Sequence, residues 1–226
     1  MSSTHSDHDQ HRVAREAYLQ LAAAADEFER YPHPHASRIA VISERIAEGF
    51  HLAPQDRRSL RRAAYMHDLG EVAMEREYIQ RAGTLSEDER TDLSRHPVIG
   101  EQEAARASAD RAVQLLVRWH HEWWNGMGYP DALRQNEIPL AARILRLADS
   151  YAALTDARPF RPALSEADAR HKIIEGAAIE FDPAVVNVFL SLRTFDELKS
   201  FRRVEEAAVV TPAEDAAPTM FSSFMR

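Results

Sequence analysis

The stretch Leu60–Gly70, LRRAAYMHDLG, decides how this chain is read, because an apolar helical run ends on an adjacent histidine and aspartate, His67 and Asp68. The pattern recurs along the chain. AVQLLVRWHHEWWNG (112–126) closes a second apolar run on His120-His121, and ARILRLADSYAAL (142–154) carries Asp149 inside a third. Adjacent residues of a helix diverge by about 100° around its axis, so such a pair is poorly placed to chelate one ion but can straddle two. That arrangement suits a bimetal centre, whose ions sit about 3.5–4 Å apart.

Composition narrows the chemistry. The 226 residues contain no cysteine, which removes disulfides, thiolate nucleophiles and sulfur-rich zinc sites and leaves imidazole and carboxylate as ligands. The eleven histidines supply that chemistry, and 45% apolar residues supply a core. A formal charge of −8 argues against binding DNA or RNA polymers, since an acidic surface gains little from counterion release. A small anion would need a local cationic site, which metal ions and a few arginines can provide. No apolar run approaches the roughly 20 residues that span a bilayer, and the start MSSTHSDHDQHR has no signal-like apolar segment, so the expected location is the cytoplasm.

Helices dominate the expected fold. Glycine is scarce at seven residues, and alternating Val/Ile/Thr runs are missing. Apolar spacing predicts helices over 12–28 (Val13, Ala17, Leu21, Ala24, Phe28) and 36–50 (Ile39, Ile42, Ile46, Phe50), separated by Pro32 and Pro34. Others are expected over 54–67, 86–95 with a Ser86/Glu89 capping box, 97–106, 109–121, 139–155, 165–177 and 183–192, the last opening on Asp182-Pro183. Residues 122–138, with Gly126, Gly128 and Pro130, read as a loop. Residues 1–11 and 201–226 are expected to be disordered and to flank a single domain over 12–200.

The motifs in order resemble the HD-GYP subgroup of the HD phosphohydrolase superfamily. HDLGE (67–71) and Gly128-Tyr129-Pro130 in HHEWWNGMGYP match its name-giving motifs. HPVIGEQ (96–102), IPLAARILRLAD (138–149), RPFR (158–161) and FDPAVV (181–186) stand around them in the family's order, and the resemblance covers about residues 35 to 190. It implies an all-α HD-domain bundle of nine or ten helices with a central metal site. It also implies a metal-dependent phosphodiesterase hydrolysing cyclic di-GMP through a metal-activated hydroxide.

Carried over by position, the ligands fall on His35, His67, Asp68, His96, His120, His121 and Asp149. One ion would take His35, His67, Asp68 and Asp149, the other Asp68, His96, His120 and His121, with Asp68 bridging and His67-Asp68 as the catalytic pair. Fe or Mn is the first expectation for the two divalent ions, with Zn or Ni also accepted by imidazole-rich sites. Arg158 and Arg161 match phosphate-binding positions, and Tyr129, with Trp123 and Trp124, offers faces for guanine stacking.

Several positions depart from the pattern. Tyr31 stands where three-metal members carry glutamate, so two ions are expected; Glu71 replaces a lysine, and Asn125, Trp123 and Ala152 replace an aspartate, an arginine and a second aspartate. These changes spare the ligands but remove groups that assist proton transfer and substrate positioning. Two alternatives therefore stand beside the enzyme: a module that binds cyclic di-GMP or a signalling partner through the GYP loop without turnover, and a phosphohydrolase for another nucleotide. A homodimer through helix 12–28 is left open.

Overall fold

The computed structural model describes residues 3–158 and 161–192, with side chains from residue 16 onward. Among these residues the chain forms eleven α-helices, one 3-10 turn and no strand beyond two isolated bridges. The helices are α1 (Ser3–Phe28), α2 (His35–Gly49), α3 (Pro54–Met66), α4 (Leu69–Met74), α5 (Glu77–Gln80), α6 (Glu87–Leu93), α7 (His96–Arg106), α8 (Arg111–Trp119), α9 (Leu140–Thr155), α10 (Glu166–Glu175) and α11 (Pro183–Ser191). The all-α expectation holds, and the nine longer helices lie where apolar spacing and caps place them. Helices α4 and α5, of six and four residues, are too short to show a period.

One boundary is corrected. Helix α1 starts at Ser3, so residues 3–11, expected to be disordered, are helical. Neither proline nor glycine interrupts residues 3–28, and the helix continues upstream of the apolar pattern that begins at Val13. The expected tail, 201–226, and residues 193–200 lie outside the described residues.

Helix α2 runs through the centre, packed on α3 and α9. Its Ile39, Ile42 and Ile46 are fully buried, as are Leu60, Ala63 and Met66 of α3 and Ile144, Leu145 and Leu147 of α9. Each large side chain stabilises by about 1.5–3 kcal/mol on burial, enough to fix the helices that carry the histidines. Caps set the ends: Ser86 and Glu89 form the expected capping box, and Asp182 accepts from the Ala184 amide at 2.8 Å ahead of Pro183.

Two glycines allow backbones to meet at the site. A Cβ on Gly70 would lie 2.0 Å from the His96 carbonyl oxygen, so its absence is what lets α4 sit against α7. A Cβ on Gly128 would lie 2.3 Å from the Trp123 amide nitrogen and 2.5 Å from the His121 carbonyl oxygen. The loop after α8 folds back on its own start there, and Tyr129 donates its amide to the His121 carbonyl at 3.1 Å.

Candidate metal centre

All the sequence-predicted ligands sit at helix ends or on α9, pointing to one place. His35 and His96 are the first residues of α2 and α7, His67 and Asp68 form the turn between α3 and α4, and His120-His121 follow α8. They form two groups, His35/His67/Asp149 and Asp68/His96/His120/His121, and within each the donor atoms lie within 4.8 Å of one another. All except His121 are buried.

Four of the imidazoles are locked in one orientation. Nδ1 of His67, His96 and His120 donates to the carbonyls of Ala64, Leu93 and Val117 at 3.0, 2.8 and 2.6 Å. Nδ1 of His35 bonds the Asp156 carboxylate at 2.8 Å. Each Nε2 is thereby left to face the others, as in sites where a carbonyl or carboxylate fixes the tautomer of a metal-bound histidine. His96 and His120 Nε2 lie 3.4 and 3.6 Å from Asp68 Oδ1, and His35 and His67 Nε2 lie 3.8 and 3.9 Å from Asp149 Oδ1. His67 Nε2 is also 2.8 Å from Asp68 Oδ2, yet without the alignment of a hydrogen bond, so this buried nitrogen has no partner. Asp68 thus has one oxygen toward each group.

The electrostatics suit cations. Burial would raise the Asp68 carboxyl, but His67, His120 and His96 outweigh it and hold it well below the carboxylate range. Burial likewise opposes ionisation of Asp149, and the His35 and His67 imidazoles beside it bring it to about 2. His67 shows the reverse: burial lowers it, and Asp68 and Asp149 lift it well above the ordinary histidine value. His96 is pushed down to about 4 by burial, and His121 lies well below normal through burial and the charges on His120 and Arg146. Two carboxylates held in the anionic form beside imidazole nitrogens, of which His67 gives up a proton on binding, are a donor set for divalent ions of N/O preference. The residues present therefore fit such ions.

The predicted substrate residues are placed differently. Tyr129 stacks on His121, ring centroids 4.8 Å apart, at the edge of the second group. Arg158 donates to Glu29 at 2.6 Å and to the Tyr31 hydroxyl, and its guanidinium lies over the Tyr31 ring. Arg161 donates to the Ala153 carbonyl, so both arginines hold protein groups rather than an open site. Trp124 lies under Arg143, 5.6 Å from ring centroid to guanidinium.

Three residues of consequence escaped the sequence reading. Asp156, held by Arg38 as well as His35, follows the end of α9 in a stretch with no distinguishing pattern. Arg146, one turn before Asp149, donates to His121 Nδ1 at 2.8 Å and to Glu180 at 2.5 Å. Buried Glu122 accepts the amides of Asp131 and Leu133 at 2.7 and 2.9 Å and so staples the loop that carries Tyr129. Its place in HHE was the only available signal.

Residues 19–185 match the family model described as HD domain. The chain belongs to the HD domain family. Among curated proteins it is 34% identical over 193 residues to a cyclic di-GMP phosphodiesterase of Vibrio cholerae, covering 78% of this chain and 39% of the relative. It is 34% identical to the cyclic di-GMP phosphodiesterase response regulator RpfG of Xanthomonas campestris, covering 78% and 47%, and 28% identical to a 3'3'-cGAMP-specific phosphodiesterase of V. cholerae, covering 86% and 37%. This HD domain chain thus spans less than half the length of these relatives. Among solved structures the fold resembles a cyclic GMP-AMP specific phosphodiesterase of V. cholerae, with a TM-score of 0.67 at 17% identity over 86% of this chain and 53% of that one. It also resembles an HDG"Y"P protein of Bdellovibrio bacteriovorus, with a TM-score of 0.58 at 20% identity over 74% and 52%. No helix among the described residues is long and apolar enough to cross a membrane.

Proposed function

We propose that this HD domain is a metal-dependent phosphodiesterase acting on a cyclic dinucleotide, with cyclic di-GMP first among the substrates. The observation that carries the reading is the pair of donor groups joined by Asp68, with four imidazoles fixed by their Nδ1 bonds. The names of the relatives supply the substrate class.

Two divalent ions, Fe or Mn first, would be held by His35, His67, Asp68 and Asp149 and by Asp68, His96, His120 and His121. Bound there, they supply a water of lowered pKa and positive charge for the phosphoryl oxygens. The chain's own groups do the rest. Asp68 presents an oxygen to each donor group and fixes their separation. The carbonyl and carboxylate bonds to Nδ1 keep the imidazoles from rotating, so no reorganisation is needed when charge develops. Tyr129 offers an aromatic face beside the second group on which a base can stack. Arg158 and Arg161, once released from Glu29 and from the Ala153 carbonyl, would hold phosphate oxygens.

The test is to load purified protein with Mn or Fe and follow cyclic di-GMP and 3'3'-cGAMP by chromatography. Turnover above an Asp68→Ala control is expected, and its absence for both nucleotides would sink the enzyme reading. Buried Glu71, whose carboxyl is pushed well above its ordinary value by burial and by Asp68, favours a second reading in which the domain binds the nucleotide without turning it over. Calorimetry separates the two, since tight binding with no product supports the binding module.

A further inference from the structure

The outer bonds of the five imidazoles are not alike. At His67, His96 and His120 the outer partner of Nδ1 is a backbone carbonyl, and at His35 it is the Asp156 carboxylate, so each of these Nδ1 atoms is a donor. At His121 the partner is Arg146, whose Nη1 lies 2.8 Å from Nδ1. A guanidinium has no lone pair to accept with and does not lose its proton in proteins, so Arg146 donates and His121 Nδ1 accepts. The neutral His121 ring therefore carries its proton on Nε2, the reverse of the other rings.

Arg146 is itself held in place. Its Nη2 donates to Glu180 at 2.5 Å, Glu180 accepts from the Ser150 hydroxyl at 3.2 Å, and Nη1 lies 3.6 Å from Asp149 Oδ2. The guanidinium thus stands, 13% exposed, between one residue of each donor group. An ion meets a cost at either nitrogen of His121. Through Nδ1 it must displace Arg146; through Nε2 the ring must first give up the proton that the Arg146 bond leaves there. By both routes a fixed positive charge stands behind the ligand, where at His35 a carboxylate stands.

We propose that Arg146 competes with the second ion for His121 and so holds down the affinity of that ion. Asp68, His96 and His120 are free of this competition, and His121 joins them as a ligand only by exchanging Arg146 for the ion. The inference rests on the two-ion reading and adds a residue that tunes one of its two sites.

Two measurements test it. In the metal-free full chain, long-range proton–nitrogen NMR of labelled histidine is expected to place the His121 proton on Nε2 and those of His96 and His120 on Nδ1; a His121 proton on Nδ1 would overturn the proposal. In Mn2+ titrations at neutral pH, read by the EPR signal of the free ion, Arg146→Met is expected to tighten one of two bound Mn by about 10–100-fold, the range over which outer partners of metal-bound histidines act. Arg146→Lys should stay near the parent, and His121→Ala added to Arg146→Met should cancel the gain. If Arg146→Met does not fold by circular dichroism, the double variant with Glu180→Gln, which removes the stranded carboxylate, gives the reading. Mn affinities that are unchanged or weakened without Arg146 would make it a structural tie and leave the two-ion reading standing. A gain that survives His121→Ala would overturn the competition at His121, and no Mn bound by any of the proteins would overturn both readings.

Discussion

Asp156 shows how much a single side chain outside the ligand set can govern. Its carboxylate accepts from His35 Nδ1 and is held from the other side by Arg38, whose second nitrogen donates to Thr155 at 2.7 Å. Replacing such an outer partner typically costs 10–100-fold in metal affinity. Asp156→Asn is therefore expected to weaken the His35/His67/Asp149 ion by about that factor, measured by competition with a chelator. An unchanged affinity would show that His35 needs no orienting partner. Proton uptake belongs to the same scale. His67 is raised well above the ordinary histidine value once the nearby carboxylates overcome burial, so it must lose a proton before its Nε2 can bind metal. His96, at about 4, is already neutral at pH 7. Affinity at the His67 group should then fall as pH drops, with protons released on binding, while the His96 group keeps its ion to lower pH. Calorimetry in buffers of different ionisation enthalpy reads the released protons, and a count of zero at neutral pH would contradict the assignment.

At the scale of elements, the contact between α4 and α7 depends on Gly70. A methyl group there would meet the His96 carbonyl oxygen at 2.0 Å and the Gly100 amide nitrogen at 2.8 Å, which are backbone atoms that cannot swing aside. Overpacking of this kind costs about 1–3 kcal/mol. Gly70→Ala should lower the thermal midpoint accordingly and, by moving His96 away from Asp68, reduce metal content at the second group. A variant with parental stability and metal content would mean that the two helices need not meet so closely. Much of the element scale was legible in the chain. The capping box at Ser86, the Asp182-Pro183 start and the helix ends at His67 and His120 all stand within a few residues of their expected places. Helix α4 was not legible, because six residues give no period, yet it is α4 that puts Glu71 beside Asp68.

Across the whole molecule, the donor side chains come from five helices or their ends, so metal binding and folding are linked. An ion that binds only the folded chain stabilises it by about 2.7 kcal/mol at a hundredfold excess over its dissociation constant. Chelator treatment is expected to lower the melting temperature, and readdition of Mn2+ to restore it in the parent but not in Asp68→Ala. A melting curve indifferent to metal would separate the histidine cluster from any role in holding ions. The arginines show the limit of reasoning by position. Arg158 lies where a phosphate clamp is expected, but in the folded chain it is bonded to Glu29, 129 residues away.

The sequence alone determined the helical class, most of the helix boundaries and the identity of the clustered histidines and aspartates. Those follow from apolar periodicity, capping chemistry and motif order, all of which are local or carried in one dimension. Only the tertiary structure decided which groups serve those residues: Asp156 on His35, Arg146 on His121 and Glu29 on Arg158. Such pairings depend on which helix surfaces meet when the core closes, and side chains 25 to 129 residues apart leave no mark on one another until it does.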